Sequence, residues 1–310
     1  MKLVLTLTLN PAVDVSIATE RIVYDDRVYI TGESAQPAGK GINAATVLHR
    51  YGATVEAVAP FGGDMGSRFA NLLAESQIPV TLVPVNGETR RNIAVTDSEG
   101  LTLKLDQRGS ALTAEELERI RSKLLEKLPQ AAWLTLTGSL PPNVPVTTYA
   151  ELVALAQKHD VSTLLDTTGD ALPVGLAAGP TLAKPNRPEA ERLLGRSLFS
   201  ESDAITGAEE IQAMGAQRVL LSLGSQGAVA VWEQGRLRAI PPVTAKGSPI
   251  GAGDVVGAVC IWALLRGESF PEAFRWAIAA GTVAAGLPGL DFGDLEDVER
   301  MRSKVDVHEV

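Results

Sequence analysis

The fold class is decided by one stretch of the chain, residues 131–169, which reads AAWLTLTGSLPPNVPVTTYAELVALAQKHDVSTLLDTTG. Its two ends, 131–138 and 161–169, are short and almost continuously apolar, as is typical of strands that are buried on both faces. Between them, residues 147–160 have the apolar spacing of an amphipathic helix. A strand, a helix and a second strand in this order predict a parallel pair with the helix packed across it.

The same alternation of buried strands and amphipathic helices extends along the chain in both directions. Further strands are predicted in LVLTLTL (3–9), TVEAVAPFG (54–62) and RVLLSLG (218–224), and a short helix is predicted in AERLLG (190–195). The sequence therefore predicts an α/β fold with a mostly parallel central sheet and helices on both faces.

Two other segments, 14–36 and 91–106, alternate apolar and polar residues, which predicts strands with one buried and one exposed face. The second segment has a turn signal at Ser98-Glu99-Gly100 and predicts a hairpin. We interpret both as a small sheet inserted into a single domain of residues 1–310, where it forms a lid or a dimer surface. An ordinary edge hairpin is the alternative interpretation.

Composition excludes several classes of protein. The 310 residues are 45% hydrophobic and 21% charged, which is ordinary for a chain with a packed core. The formal net charge of −9 argues against a nucleic-acid partner, which would require a basic surface. The single cysteine, Cys260, cannot form an internal disulfide and indicates a reducing compartment, the cytoplasm.

Neither a membrane nor a Cys/His metal site is expected. The N-terminal MKLVLTLTLNPAVD predicts a strand and a turn rather than a signal peptide. No apolar run reaches the roughly 18 residues that a membrane span requires. The three histidines are far apart in sequence and, with one cysteine, cannot supply a Cys/His ligand set.

Small and polar residues follow the predicted strands. Asn10 follows the strand at 3–9, Ser139 and Asp166 come after the apolar runs 133–137 and 162–165, and Lys184 and Ser222 come after 181–183 and 218–221. Because ligands of parallel α/β sheets bind at the carboxyl ends of the strands, this edge is the expected site.

The stretch SPIGAGD (248–254) precedes the apolar segment VVGAVCIWALL and places three small residues at the start of a helix near Val255. Unpaired amides and the positive end of the helix dipole make such a position a receptacle for an anion, most often phosphate. The carboxylate of Asp254 would repel a phosphate. Its natural role is to accept the proton of a hydroxyl that attacks phosphorus. The alternative is that Asp254 only caps the helix.

A second glycine-rich stretch, PAGKGINAA (37–45), also precedes a helix. It lacks the G-x4-G-K-[ST] spacing of a P-loop. It matches the letters of a dinucleotide fingerprint in Gly39, Gly41 and Ala44, but does not follow a parallel strand directly, which disfavours a dehydrogenase. The turn offers Lys40 and backbone donors, and Arg90 and Arg91 add positive charge, which suits a sugar that carries a phosphate.

These motifs resemble the ribokinase/PfkB family of sugar kinases. AGKGIN (38–43) and GAGD (251–254) stand about 210 residues apart and match the two family signatures. LTLNPAVD, GETR, TGSLPP, KPNRPE and SLGSQGA match other family segments in the same order, over nearly the whole chain. The resemblance implies a ribokinase-like fold with a small β-sheet lid, and is strongest to the phosphosugar kinases that include 1-phosphofructokinase and tagatose-6-phosphate kinase.

The resemblance implies a role for each matching residue. The catalytic base would be Asp254, and the anion hole would be formed by Gly251, Ala252 and Gly253. The substrate would be bound by Asp14, Gly39, Lys40, Asn43, Arg90 and Ser139, with Lys40 and Arg90 on its phosphate. ATP would be bound by Lys184, Ser222, Gly224 and Gly227. Mg²⁺, through its waters, would be ordered by Asn186 and Glu189.

The implied reaction is transfer of the γ-phosphate of ATP to a ketohexose phosphate, with fructose 1-phosphate as the favoured substrate. Tagatose-6-phosphate kinase and 6-phosphofructokinase are the alternatives within the enzyme class, and a non-catalytic sugar-phosphate sensor is the alternative outside it. The resemblance also implies a homodimer through the lid. Three features depart from or fall outside the signatures: Ala38 in place of a first glycine, Pro249-Ile250 before GAGD, and Arg91. Arg27 has no assigned role.

Overall fold

The computed structural model describes residues 2–242, 251–287 and 289–310. Its strands are β1 Leu3–Thr8, β2 Ala12–Thr19, β3 Ile30–Ala38, β4 Val55–Phe61, β5 Val80–Pro84, β6 Arg90–Asp97, β7 Thr102–Asp106, β8 Ala131–Thr137, β9 Ser162–Asp166, β10 Leu182–Ala183, β11 Arg218–Ser222, β12 Ala228–Trp232, β13 Gly235–Ile240 and β14 Asp306–Glu309. Its α-helices are α1 Lys40–Arg50, α2 Gly63–Ser76, α3 Ala114–Lys127, α4 Thr148–Lys158, α5 Ala171–Ala177, α6 Arg187–Leu194, α7 Glu201–Ala213, α8 Ala252–Leu265, α9 Phe270–Ala285 and α10 Leu295–Arg302.

The large sheet has the strand order β14-β13-β12-β11-β10-β9-β8-β1-β4-β5. From β5 to β11 neighbouring strands are parallel, and from β11 to β14 they are antiparallel. The unit β8-α4-β9 coincides with the stretch 131–169, and the predicted parallel pair is confirmed by the register Trp133↔Ser162 to Thr137↔Asp166. The α/β fold with a mostly parallel sheet is confirmed.

Helices cover both faces of the large sheet, as predicted. Along β1, Leu5 and Leu7 face the core formed with α3 and α4. Val4 faces the core formed with α1, α8 and α9. The cysteine of α8, Cys260, is a fully buried member of that second core. Across the described ranges, every helix falls short of the length and hydropathy that crossing a bilayer would require.

A separate small sheet has the strand order β3-β2-β6-β7. Its β2–β6 pair is parallel and its other pairs are antiparallel. The hairpin predicted at 91–106 is confirmed as β6 and β7. The segment 14–36 differs, since residues 20–29 form an exposed loop between β2 and β3. Charged side chains in Asp25-Asp26-Arg27 favour solvent, and Asp25 has a φ of 69°, which no extended strand accommodates.

The first turn of α1 lies directly on the end of β1. A Cβ atom on Gly41 would lie 2.4 Å from the hydroxyl of Thr8 and 2.9 Å from the carbonyl oxygen of Leu7. Gly39, just before the helix, has a φ of 130°, and a Cβ there would lie 2.6 Å from the Thr8 methyl carbon. Only glycine therefore allows α1 to carry Lys40 and Asn43 this close to the sheet edge.

Candidate active site

One buried carboxylate lies at the centre of the sheet edge. Asp166 ends β9, between β8 and β10, and its side chain is only 2% exposed. Its Oδ2 is 2.8 Å from Nζ of Lys184, which follows β10. Its Oδ1 is 2.7 Å from Nζ of Lys40, at the start of α1. One carboxylate therefore joins the lysines of the two predicted substrate sites.

The ion pairs control the protonation of this cluster. Burial alone would raise the pKa of Asp166, but Lys184 and Lys40 outweigh it and hold that pKa below its usual range. Burial would lower the pKa of Lys40, but Asp166, Glu189 and Asp254 together outweigh it and hold that pKa above its usual range. Asp166 and Lys40 are thus both charged near neutral pH.

Asp254 lies in the first turn of α8, where the Oδ2 atom accepts a 2.7 Å hydrogen bond from Nδ2 of Asn43. Burial is the largest influence on this carboxyl and raises its pKa to about 6, with Lys40 opposing the rise and the charge of Asp166 adding to it. A carboxylate with such a pKa is ionised at neutral pH yet able to take a proton, as a general base must.

The helix that carries Asp254 begins three residues earlier than predicted, at Ala252 rather than near Val255. Gly251 is its N-cap residue and has a φ of 75°, a left-handed conformation that favours glycine. The amides of Ala252 and Gly253 therefore belong to the first turn, at the positive end of the helix dipole. Ser248, Pro249 and Ile250 of this signature lie outside the described residues.

Asn186 and Glu189 form a capping box at the start of α6. The side-chain oxygen of Asn186 accepts a 2.9 Å bond from the amide of Glu189, and Oε2 of Glu189 accepts a 2.9 Å bond from the amide of Asn186. The other carboxylate oxygen of Glu189 is 3.5 Å from Nζ of Lys40. The structural role of these residues is therefore established, and their predicted role toward Mg²⁺ stays a prediction.

The predicted nucleotide residues lie one strand further along the sheet. The amide of Ser222, at the end of β11, donates a 3.1 Å bond to the carbonyl of Pro185, beside Asn186. Gly224 and Gly227 flank the tight turn that follows, and the amide of Leu223 closes it on the carbonyl of Gly227 at 2.8 Å. Lys184, Asn186 and Ser222 therefore share one end of the sheet edge.

The small sheet supplies the other end of the site. Asp14 on β2 accepts a 2.8 Å hydrogen bond from Nδ2 of Asn92 on β6, and burial raises its pKa. A cavity of about 170 Å³ lies against this pair, and its lining includes Ser16, Gln36, Lys104, Asp106 and Leu290. These polar groups suit the hydroxyls of a sugar.

Arg90 and Ser139 meet through Asn10, at the end of β1. The guanidinium Nε of Arg90 donates to the carbonyl of Asn10 at 3.1 Å, and Nδ2 of Asn10 donates to the Ser139 hydroxyl at 3.1 Å. Lys40 is predicted to bind the substrate phosphate together with Arg90. In this structure Lys40 is not a free cation, because Asp166 and Glu189 pair with it at 2.7 and 3.5 Å.

Comparisons with known proteins identify the family of this chain. Residues 4–297 match the model of the pfkB family carbohydrate kinases. The chain belongs to the PfkB family. It is therefore a kinase that transfers a phosphoryl group to an alcohol.

Several characterised PfkB kinases are similar to it along almost their whole length. The chain is 33% identical to ATP-dependent 6-phosphofructokinase isozyme 2 of Escherichia coli K12, over 96% of both chains. It is 31% identical to 1-phosphofructokinase of the same strain, over 98% of this chain and 97% of the relative. The crystal structure of phosphofructokinase-2 from Escherichia coli in complex with potassium superimposes with a TM-score of 0.92, at 32% identity, and covers 98% of this chain and 99% of that one.

Three residues of this candidate site were not assigned a role from the sequence. Asp166 was noted only as a polar residue at the end of a strand, and that position was the available signal. Asn10 gave the same signal. Asn92 gave none, because its contact with Asp14 depends on the parallel register of β2 and β6.

Proposed function

We propose that this protein is an ATP-dependent phosphosugar kinase that phosphorylates a fructose phosphate. The observation that carries the proposal is Asp254, a carboxylate with a pKa near 6 at the N-terminus of α8, held by Asn43. Similar relatives, an ATP-dependent 6-phosphofructokinase and a 1-phosphofructokinase, support the same substrates.

In the proposed reaction, Asp254 accepts the proton of a primary hydroxyl as the oxygen forms a bond to the γ-phosphorus of ATP. The bond from that phosphorus to the β,γ-bridging oxygen breaks, and ADP leaves with the electron pair. Negative charge that develops on the transferred group is stabilised by the first-turn amides of α8 and by Lys184. The proton stays on Asp254 until the product departs.

The residues at the start of α6 fit Mg²⁺ carried by ATP. Within the part of the chain that the structure describes, no three acidic, histidine or cysteine side chains are arranged so that they could hold a metal ion by themselves. Mg²⁺ in kinases is usually held by nucleotide phosphates, waters and one or two carboxylates, so a full protein cage is not required. Asn186 and Glu189 would hold its waters, and the ion would neutralise charge on the phosphate chain.

The sugar end supports a phosphate-bearing substrate. Arg90 and Ser139 are held together by Asn10, and Arg90 also donates to Asn92 at 3.4 Å, so the candidate phosphate donors lie beside the Asp14–Asn92 pair that lines the cavity. We propose fructose 1-phosphate as the substrate, which the relative named 1-phosphofructokinase supports. The relative named 6-phosphofructokinase isozyme 2 favours fructose 6-phosphate as the second candidate.

ADP release from MgATP tests the proposal, with fructose 1-phosphate, fructose 6-phosphate, tagatose 6-phosphate and free fructose compared at equal concentrations. We expect the highest kcat/KM with fructose 1-phosphate and very little turnover of free fructose. A higher kcat/KM with fructose 6-phosphate would support the proposed phosphoryl transfer but replace fructose 1-phosphate as the substrate. Binding of a sugar phosphate without any ADP release would replace the kinase with a sensor.

We also propose that the small sheet covers the sugar and joins two copies of the chain. In β7, Lys104 and Asp106 face the cavity, while Leu103 and Leu105 alternate to the opposite face and are exposed. Tyr24 and Tyr29, in the loop before β3, are 83% and 76% exposed. An apolar strand face next to exposed tyrosines suits a second copy of the same sheet.

We propose the cytoplasm as the compartment of this protein, and the single buried cysteine, Cys260, supports that proposal.

A further inference from the structure

Arg187 lies between the two nucleotide segments, and the motif roles leave it unused. It is the first residue of α6, directly after Asn186. Its Nη2 atom donates a hydrogen bond to the side-chain oxygen of Gln226, in the turn between Gly224 and Gly227. The guanidinium therefore extends from the KPNRPE segment to the SLGSQGA segment, both of which hold residues predicted to bind ATP.

Part of this guanidinium has no partner. The Nε atom of Arg187 is buried and makes no hydrogen bond to any described residue. Nor does any described carboxylate lie within ion-pair distance of this side chain. Leaving a buried donor unsatisfied is unfavourable, so the group is expected to have a partner in the ligand-bound state.

The neighbouring arginine of the same region shows the contrast. Arg238 pairs with Glu201 at 3.0 Å and donates to the backbone carbonyls of Ala228 and Gln226, so its charge and its donors are satisfied within the protein. Arg238 therefore stabilises the turn between Gly224 and Gly227 by contacts within the protein. Arg187 approaches the same turn with a free donor.

The charges at the sheet edge indicate that a bound polyanion would need a cation in addition to Lys40 and Lys184. The ammonium groups of Lys40 and Lys184 face three carboxylates, those of Asp166, Glu189 and Asp254. Both lysines are thus already compensated before a polyanion arrives. A nucleoside triphosphate brings several negative charges, and an arginine without an internal counter-ion is suited to bind them.

We propose that Arg187 is a binding residue for the phosphate chain of a nucleoside di- or triphosphate. This inference rests on the proposed function. It adds one residue to the nucleotide site and predicts that the affinity for ATP and ADP, but not for the phosphosugar, depends on this side chain.

The test is calorimetric binding of ATP and ADP to Arg187→Gln, together with steady-state kinetics. We expect both nucleotides to bind about 10-fold more weakly, as for the loss of one charge-assisted contact, while the KM for the phosphosugar changes less than about 2-fold. Arg192→Gln is the matched control, because Arg192 is an exposed arginine on the same helix. That control is expected to bind ATP and ADP like the wild type.

Gln226→Ala distinguishes two roles of Arg187: direct binding of the nucleotide, and support of the turn between Gly224 and Gly227. It removes the partner of Arg187 but keeps the guanidinium, so we expect nucleotide affinity within about 3-fold of the wild type. Equal losses in Gln226→Ala and Arg187→Gln would overturn the direct contact. Unchanged nucleotide affinity in Arg187→Gln would overturn the inference alone, whereas a wild type that binds neither ATP nor ADP would overturn the proposed function as well.

Discussion

The two ends of the site are built in different ways. At the sheet edge, Asp166 and Lys184 are 2% and 4% exposed and bind each other inside the protein. At the sugar end, Asp14 and Asn92 lie on a small sheet whose last strand, β7, is exposed along its whole length. The edge holds its charges in one arrangement, whereas β7 pairs only with β6 in the described sheet and is otherwise exposed. A buried catalytic edge next to a more exposed sheet suits a reaction that must exclude water, because a change in the exposed strand need not disturb the buried charges.

The largest effect is expected from Asp254→Asn. The amide keeps the shape of the side chain but cannot accept a proton, so kcat should fall at least about 10²-fold while ATP binding is largely kept. Steady-state kinetics and calorimetry measure the two quantities. Asp170→Asn is a suitable control, since Asp170 is exposed and its side chain makes no capping bond. Turnover of Asp254→Asn at the wild-type rate would refute the assignment of the base.

The rigidity of the edge is tested by Asp166→Asn. Removing the shared carboxylate leaves Lys184 and Lys40 close together with one fewer counter-charge, and should lower the free energy of unfolding by about 2 kcal/mol. Urea denaturation measures the change.

The matched control for this variant is Glu296→Gln, which breaks the exposed pair with Arg300. Such surface pairs contribute little, so the change should stay within about 0.5 kcal/mol. Similar losses of unfolding free energy in Asp166→Asn and Glu296→Gln would mean that the ion pairs at the sheet edge hold the fold no more firmly than a surface pair.

A smaller effect is expected in the pH profile. Asp254 must be deprotonated to act, so kcat/KM should fall as pH decreases through about 6. The hydrogen bond from Asn43 lowers the pKa of Asp254, and Asn43→Ala should therefore move this acidic limb to higher pH. An unchanged limb in the variant would show that Asn43 acts on the sugar alone.

The smallest effect on the chemistry is expected at the outer face of the small sheet. Leu103→Asp with Leu105→Asp places two charges on the proposed dimer surface without touching the residues that line the cavity. We expect a dimer in the wild type and a monomer in the double variant by light scattering, with kcat reduced less than about 10-fold. A double variant of unchanged mass would place any dimer contact elsewhere.

The sequence predicted the elements better than the contacts between them. The unit at 131–169 could be predicted because its apolar pattern is local. Pairing of Lys40 with Asp166 could not be predicted, because it requires α1 to lie on β1 and β1 to lie beside β8, and the local pattern contains neither of these neighbour relations. The exposed loop at 20–29 was missed because its alternation resembles that of a strand, and only the charges of Asp25-Asp26-Arg27 opposed it.

Gly41 makes the catalytic centre sensitive to a single methyl group. Its missing side chain lets α1 rest on Thr8, and the same helix carries Lys40 and Asn43, which contact Asp166 and Asp254. A methyl group at position 41 would push α1 away from β1. This shift would separate the Lys40–Asp166 pair and the Asn43–Asp254 pair at once. An alanine variant of Gly41 would therefore fold with its charges misaligned, and its activity would be lost well before its secondary structure.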